Sequence, residues 1–210
     1  MTVQIDFWGS SSVTGAGDEN EKGFVGYFTD WVSGLPFRVV VRNHGIVAQN
    51  STQTRIQFIK EFPDFLPEYA ILFLGTNDTF RLKTIETECS IPVSELKQSL
   101  EEITQLVKIY KRKIIFLTPY PRDDNKNPTN PQLPLKPGYI MNNDIVKRVK
   151  LLEQFCREKK ILSIDLWHES SDWISMLEPE GLHVNHQGHL IIAQKLISYF
   201  KLEFAHLRPS

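Results

Sequence analysis

The order of strand-like and helix-like segments constrains the fold of this chain more than any other sequence feature. Short runs rich in Val, Ile, Leu and Phe alternate with segments of helical periodicity from one end of the chain to the other. The runs carry little charge, which is typical of strands buried on both faces of a parallel sheet. They cover Val3–Trp8, Phe37–Arg42, Tyr69–Leu74, Lys113–Tyr120 and Ile161–Trp167.

The clearest helical pattern lies between the third and fourth runs, where apolar residues recur every three or four positions. These residues are Val93, Leu96, Leu100, Ile103, Val107 and Tyr110. Similar patterns predict helices at about 20–33, 50–61, 140–159 and 186–203. Strict alternation of strand and helix predicts an α/β fold with a five-stranded parallel sheet covered on both faces. With 210 residues and no linker, residues 1–210 should form a single domain.

Charge and hydropathy argue against several classes of partner. The chain has 24 basic and 25 acidic residues, so nothing favours binding to nucleic acid. No apolar run approaches the roughly 18 residues that span a bilayer, so we expect no integral membrane contact. The N-terminus lacks the pattern of a secretory signal, which favours a cytoplasmic location. Cys89 and Cys156 are therefore expected to be free thiols.

Small and polar residues follow the predicted strands at the positions where ligands and substrates bind in such folds. Because the carboxyl ends of parallel strands meet at one edge, a serine, a glycine, an asparagine and a histidine should come together there. The stretches are Gly9-Ser10-Ser11 after the first strand, Asn43-His44-Gly45 after the second, Gly75-Thr76-Asn77-Asp78 after the third and Glu180-Gly181-Leu182-His183 before the last helix.

This set of residue types suits acyl transfer. A serine hydroxyl needs an adjacent base at neutral pH, and histidine fills that role. The tetrahedral intermediate needs hydrogen-bond donors, which the Gly45 N–H and the Asn77 side-chain amide could supply. Other interpretations remain open: Asn77 could form an Asx turn, and Gly45 could be a simple turn glycine. Ser12 and Thr14 compete with Ser11 as the nucleophile.

In this order and context, Ser11, Gly45, Asn77 and His183 resemble the SGNH hydrolases, also called the GDSL esterase/lipase family. The resemblance runs from Gly9 to Gly188. It implies a flavodoxin-like three-layer α/β/α sandwich and hydrolysis of esters or related acyl compounds through an acyl-enzyme, without metal or cofactor. It also implies that Ser11 is the nucleophile and His183 the base. The oxyanion hole would consist of the Ser11 N–H, the Gly45 N–H and the Asn77 amide.

The chain departs from the family pattern at two positions. Ser10 stands where the family usually has aspartate, which affects the bonding of the turn before the nucleophile. Glu180 stands where the family usually has the acidic partner aspartate of the histidine. Glutamate keeps the negative charge and can orient the imidazole, so we expect Glu180 to be the third catalytic residue. Glu178 or a backbone carbonyl could take that place instead.

Two further features bear on the site. His183, His186 and His189 are spaced three apart, but no carboxylate or cysteine stands at a familiar zinc spacing, so we expect no metal site. Asn185 is instead predicted to cap the last helix, with His186 and His189 in its first turn. The proline-rich segment from Pro121 to Tyr139 follows the fourth strand. It is expected to be a surface loop or one wall of the site.

The sequence thus predicts a serine esterase whose partner is a small-molecule acyl ester, with a short or acetyl acyl group on a sugar or small alcohol. A lysophospholipase or thioesterase type of acyl hydrolase stays open, as does the oligomeric state. One rival is an FMN-binding flavodoxin-like protein, which leaves Asn77 and His183 without a purpose. The other is a catalytically inactive binding module, motivated by the two departures from the family pattern.

Overall fold

A sheet of parallel strands occupies the centre of the computed structural model, which describes residues 2–127, 138–168 and 172–207. Five strands pair in the order β2-β1-β3-β5-β7, and all of the pairs are parallel. Two further strands, β4 and β6, form a separate antiparallel ribbon. The strands are β1 Thr2–Gly9, β2 Arg38–Asn43, β3 Tyr69–Phe73, β4 Arg81–Leu82, β5 Lys113–Leu117, β6 Gly138–Tyr139 and β7 Leu162–Ile164.

Helices cover both faces of the sheet, as the alternating pattern predicts. They are α1 Ser11–Thr14, α2 Gly23–Ser33, α3 Ser51–Phe65, α4 Val93–Ile109, α5 Asn142–Lys159 and α6 His186–Glu203. Alternate residues of β3 face opposite layers. Ile71 belongs to the apolar core shared with α2 and α6. Leu72 belongs to the core shared with α3, α4 and α5. The predicted three-layer α/β/α sandwich is therefore confirmed.

Several predicted boundaries were wrong by a few residues. The fourth run was predicted to end at Tyr120 and the fifth at Trp167, but β5 ends at Leu117 and β7 at Ile164. Residues beyond the last paired positions stay buried, as Tyr120 does, so the apolar pattern continues after the strand has ended. The helix predicted to end near residue 61 continues through Pro63 to Phe65, although Pro63 has no N–H to donate to the carbonyl four residues before it.

The ribbon of β4 and β6 was not predicted. Arg81 pairs with Tyr139 and Leu82 with Gly138, so the end of the proline-rich segment is joined to the connection between β3 and α4. The segment is therefore not a continuous loop from residue 121 to 139. Residues 124–126 also form a 3₁₀ turn, and residues 128–137 lie outside the described part of the chain.

Two expectations about the chain as a whole can be compared with the structure. In the described residues, no helix has both the length and the apolar character that crossing a bilayer requires. Cys89 is half-buried and Cys156 is buried, and both are free thiols. The prediction of free cysteines is therefore confirmed.

Candidate active site

The turn between β1 and α1 presents Ser11 at the carboxyl edge of the sheet. Gly9 makes the turn possible, since a Cβ there would lie 2.6 Å from the carbonyl oxygen of Phe73 and 2.7 Å from Cγ2 of Val13. Ser11 is the first residue of α1. The first N–H groups of a helix have no partner within it, so the Ser11 N–H is suited to bind a negative oxygen.

Ser11, His183 and Glu180 form a continuous hydrogen-bonded chain. The Ser11 Oγ lies 2.8 Å from Nε2 of His183, and Nδ1 of the same imidazole lies 2.7 Å from Oε1 of Glu180. The backbone N–H of His183 donates to the same carboxylate oxygen at 3.0 Å. A carboxylate only accepts hydrogen bonds, so Nδ1 carries the proton and Nε2 is free to accept from the serine hydroxyl.

The environment of Glu180 keeps its carboxylate charged. Burial alone would raise the pKa of Glu180, but hydrogen bonds from the ring and the backbone N–H of His183 outweigh burial and lower it below its ordinary value. Glu178 is placed differently, because its backbone N–H donates to the His183 carbonyl at 2.8 Å and its own carbonyl accepts from Gly181. The structure thus places the carboxylate of Glu180 on the imidazole, while Glu178 holds the turn through its backbone.

The other hydroxyls near Ser11 have different partners. Thr14 Oγ1 donates to the Ser11 carbonyl at 2.8 Å, and Ser12 Oγ lies 3.1 Å from the Tyr120 hydroxyl. Ser11 therefore supplies the hydroxyl that contacts His183, as expected. Ser10 caps α1 with its carbonyl, which accepts from the N–H groups of Val13 and Thr14. Its side chain makes no capping hydrogen bond.

The two other predicted oxyanion donors differ in their geometry. Asn77 Nδ2 donates to the carbonyl of Gln49 at 2.9 Å, which uses one of the two hydrogens on the amide nitrogen. The Gly45 N–H donates to Oδ1 of Asn43 at 2.9 Å, and Asn43 Nδ2 donates to the Val13 carbonyl at 2.7 Å. The Gly45 N–H can donate to an oxyanion either by sharing its hydrogen with Asn43 or by leaving Asn43.

Asn43 is a site residue that the sequence interpretation missed. Its side chain closes an Asx turn onto the residue two positions ahead, a common arrangement for asparagine before glycine. The spacing of Asn43 and Gly45 carries that signal. An Asx turn, the alternative considered for Asn77, is present at Asn43.

Asp78 anchors the turn that carries Asn77. Its Oδ1 accepts from the backbone N–H of Ser51 at 2.7 Å, which joins the N-terminus of α3 to this turn. Asp78 is fully buried, and burial raises its pKa above the ordinary value. Asp78 therefore joins this turn to α3, whereas the carboxylate bonded to His183 is that of Glu180.

The glycine-rich loop after α1 packs against the backbone and the Cβ of the turn that carries His183. Gly17 adopts a φ of +92°, and a Cβ there would lie 2.3 Å from the Val184 carbonyl and 3.0 Å from the His183 Cβ. His189 holds the same loop by donating Nε2–H to the carbonyl of Ala16 at 3.0 Å. Burial lowers the pKa of His189, so its neutral form makes this contact.

Asp18 fixes the other side of this loop. Its carboxylate accepts from the Gly23 N–H at 2.8 Å, from the Tyr27 hydroxyl at 2.7 Å and from His186 at 3.2 Å. Burial would raise the pKa of Asp18, but these hydrogen bonds and one from Asn20 lower it to about 2. No sequence motif marked Asp18, because its partners come from α2 and α6.

The predicted first turn of the last helix is confirmed. The Asn185 side chain accepts from the Gly188 N–H at the start of α6. His186 and His189 therefore hold the loop behind His183, as their contacts with Asp18 and Ala16 show.

Side chains that could ligate a metal occur together at another place in the described residues. Atoms of Glu153, Asp165 and His168 lie within 4.8 Å of one another. Nδ1 of His168 is 3.1 Å from a carboxylate oxygen of each acid, which is also the geometry of an ion-paired histidine. The group lies where β7 meets α5 and includes none of the residues bonded to Ser11.

A small polar recess opens beside the nucleophile candidate. Ser10 and Ser12, which flank Ser11 in the sequence, line this recess together with Asn50 and Asn77. A wider groove, lined in part by Ile59, lies on the far side of α3 and α4 and contains none of the residues discussed above.

Comparison with known proteins agrees with this geometry. Residues 7–191 match the family model of the GDSL-like Lipase/Acylhydrolase family. The chain belongs to this family. The GDSL esterase/lipase CPRD49 of Arabidopsis thaliana is 26% identical over 142 residues, which cover 64% of this chain and 55% of that protein. The chain thus spans about half the length of this relative.

Solved structures of similar proteins share the GDSL family fold. The lipase/acylhydrolase from Enterococcus faecalis superposes with a TM-score of 0.75 at 21% identity, with 96% of each chain covered. An acetylxylan esterase from Geobacillus stearothermophilus, crystallised as a catalytic mutant, gives a TM-score of 0.71 at 16% identity, with 93% of each chain covered. The described strands and helices of this chain therefore form the α/β fold of these hydrolases.

Proposed function

We propose that this protein is a serine hydrolase of carboxylic esters. The observation that carries the proposal is the unbroken hydrogen-bonded chain from Glu180 through His183 to Ser11, with distances of 2.7 and 2.8 Å. Membership of the GDSL-like family supports an acyl-transfer reaction. It also favours a hydrolase over an FMN-binding protein, since an FMN site has no use for this chain of contacts.

In the proposed first step, Ser11 Oγ attacks the carbonyl carbon of the ester while Nε2 of His183 accepts the hydroxyl proton. The Glu180 carboxylate stabilises the imidazolium that forms. The tetrahedral intermediate collapses when His183 gives this proton to the departing alcohol oxygen, which leaves the acyl group on Ser11. Water then attacks the acyl-enzyme with His183 as the base, and the carboxylic acid and free Ser11 result.

The negative oxygen of the intermediate needs donors that are held in place before the reaction. The Ser11 N–H at the start of α1 and the amide of Asn77, anchored on Gln49, are proposed to supply two of them. Gly45 is proposed as the third donor. Because its N–H bonds to Asn43, it would join the oxyanion hole by sharing that hydrogen with Asn43.

The acyl group is proposed to be short, with acetyl as the first choice. The recess beside Ser11 is small, and polar residues such as Ser10 and Asn77 line it. A long alkyl chain would gain little from such a lining. The fold likeness to an acetylxylan esterase makes acetylated sugars a sensible class of substrate to test. Lysophospholipids and thioesters are the alternatives.

An esterase panel tests the proposal directly. Purified protein should hydrolyse p-nitrophenyl acetate and butyrate with higher kcat/KM than the palmitate ester, and it should release acetate from acetylated xylooligosaccharides. Ser11→Ala should abolish turnover, whereas Ser12→Ala, in the same turn, should keep a turnover that can still be measured. A fluorophosphonate probe should label Ser11. Failure of the wild-type protein both to turn over esters and to react with the probe would favour an inactive binding module.

A further inference from the structure

The Tyr120 side chain lies against the turn that carries Ser11. Its hydroxyl is 3.1 Å from Oγ of Ser12, the residue after the nucleophile candidate. Either hydroxyl can donate this hydrogen bond. Tyr120 also belongs to the same apolar core as Val184, the residue after His183.

The ring of Tyr120 is held on two sides, so its hydroxyl has a fixed position. It stacks on Trp173 with ring centroids 5.3 Å apart and meets the edge of Phe73 at 5.9 Å. Tyr120 is buried, and burial raises its pKa to about 12. The hydroxyl therefore keeps its proton across the pH range of ester hydrolysis.

We propose that Tyr120 is a positioning residue that holds the Ser11 turn in place for proton transfer to His183. The 2.8 Å contact between Ser11 and His183 joins residues 172 positions apart in the chain. The loop at Gly17 packs against His183, and Tyr120 holds the turn of Ser11 through the hydroxyl of Ser12. A misplacement of about 1 Å between reacting groups can reduce a rate on the order of 100-fold.

This inference rests on the proposed ester hydrolysis, and the test separates the two. Tyr120→Phe keeps the ring contacts and removes the hydroxyl alone. The matched control is Tyr69→Phe, because Tyr69 is also buried and its hydroxyl donates to Glu203 at 2.6 Å. Tyr69 begins β3, at the opposite edge of the sheet from Ser11, so its loss should affect stability alone.

For Tyr120→Phe we expect kcat on p-nitrophenyl acetate to fall roughly 10-fold or more, with KM changed less than about 2-fold, because Tyr120 acts through Ser11 and His183. The rate constant for labelling of Ser11 by a fluorophosphonate should fall in parallel. Tyr69→Phe should retain wild-type kcat, even where its melting temperature drops as far as that of Tyr120→Phe.

A double-mutant cycle identifies the contact responsible. If Tyr120 acts through Ser12, the double variant that combines Tyr120→Phe with Ser12→Ala should have a kcat no lower than that of the less active single variant. Additive losses would contradict the link. If Tyr120→Phe does not fold, Ser12→Ala tests the same hydrogen bond from its other partner. We then expect the rate constant for fluorophosphonate labelling of Ser11 to fall by the same factor.

The outcomes are distinct. Wild-type labelling and kcat in Tyr120→Phe would overturn this inference and leave the proposed function standing. An equal loss of kcat in Tyr69→Phe would show that the loss in Tyr120→Phe comes from general destabilisation, and would also overturn this inference. A wild-type protein that is neither labelled nor active would overturn the proposed function itself.

Discussion

At the scale of single residues, the charge on Glu180 is the feature that a substitution can test most sharply. Its hydrogen bonds with His183 lower its pKa, so the carboxylate is ionised when the imidazole gains a proton. Glu180→Gln should reduce kcat/KM on the order of 10³- to 10⁴-fold, because an amide lacks the charge and favours the wrong imidazole tautomer. Steady-state kinetics on p-nitrophenyl acetate measures the loss.

Two companion variants give that experiment its controls. Glu180→Asp keeps the charge on a shorter side chain and should retain much more activity than Glu180→Gln. Glu178→Gln should stay near wild type, since Glu178 holds the turn through its backbone. A large loss in Glu178→Gln with little loss in Glu180→Gln would reverse the assignment of the third residue. Near wild-type activity in both would indicate a dyad of Ser11 and His183.

Asn77 tests the oxyanion hole at the same scale. Its amide is held by Gln49 and is proposed to donate a second hydrogen to the reacting oxygen. Asn77→Ala should lower kcat roughly 100- to 1,000-fold, the usual cost of losing one such donor. KM should change much less, because the contact forms in the transition state. A raised KM with unchanged kcat would instead make Asn77 a ground-state binding residue.

At the scale of loops and helices, the loop behind His183 depends on one glycine. Gly17→Ala would place a Cβ 2.3 Å from the Val184 carbonyl, at a φ of +92°. The turn that carries His183 would have to move, and we expect kcat to fall about 100-fold. Gly34→Ala is the control, because a Cβ there would meet its nearest atom at 3.6 Å. Equal activity in both variants would show that the His183 turn tolerates displacement.

The same scale shows where sequence patterns stop being informative. The five sheet strands were predictable because they are apolar runs with little charge, and the five longer helices because each has a periodic apolar face. The ribbon of β4 and β6 has two residues in each strand, too few for any period, and it joins segments more than fifty positions apart. The one-turn helix α1 was equally hidden, since Gly9 and its three serines have the composition of a turn.

At the scale of the whole molecule, the parallel topology accounts for what could be predicted about the site. It brings the ends of β1 and the turn before α6 to one edge, so Ser11 and His183 meet without being close in sequence. Contacts made across that edge could not be predicted. Two examples are the hydrogen bond between Gly45 and Asn43 and the one between Tyr120 and Ser12. Both depend on side-chain directions that no sequence period encodes.

Asp18 links this edge to the stability of the whole molecule. It accepts hydrogen bonds from α2 and α6, and its pKa in the folded protein is about 2, below the ordinary 3.8. A group with a depressed folded-state pKa stabilises the fold above its unfolded pKa, and this contribution is lost as the pH falls toward the folded value. Nearly two pKa units correspond to about 2 kcal/mol of unfolding free energy.

Asp18→Asn should therefore cost more stability at pH 7 than at low pH. Urea unfolding of both proteins should show a gap in unfolding free energy that is constant above about pH 5 and narrows by about 2 kcal/mol between pH 4 and 2. Asp30→Asn, which removes from α2 the exposed partner of Lys22, should show a small gap with little pH dependence. Because the other acids are shared by wild type and variant, their titration cancels in each comparison. A gap for Asp18→Asn that stays constant down to pH 2 would mean that shape, rather than charge, makes Asp18 important.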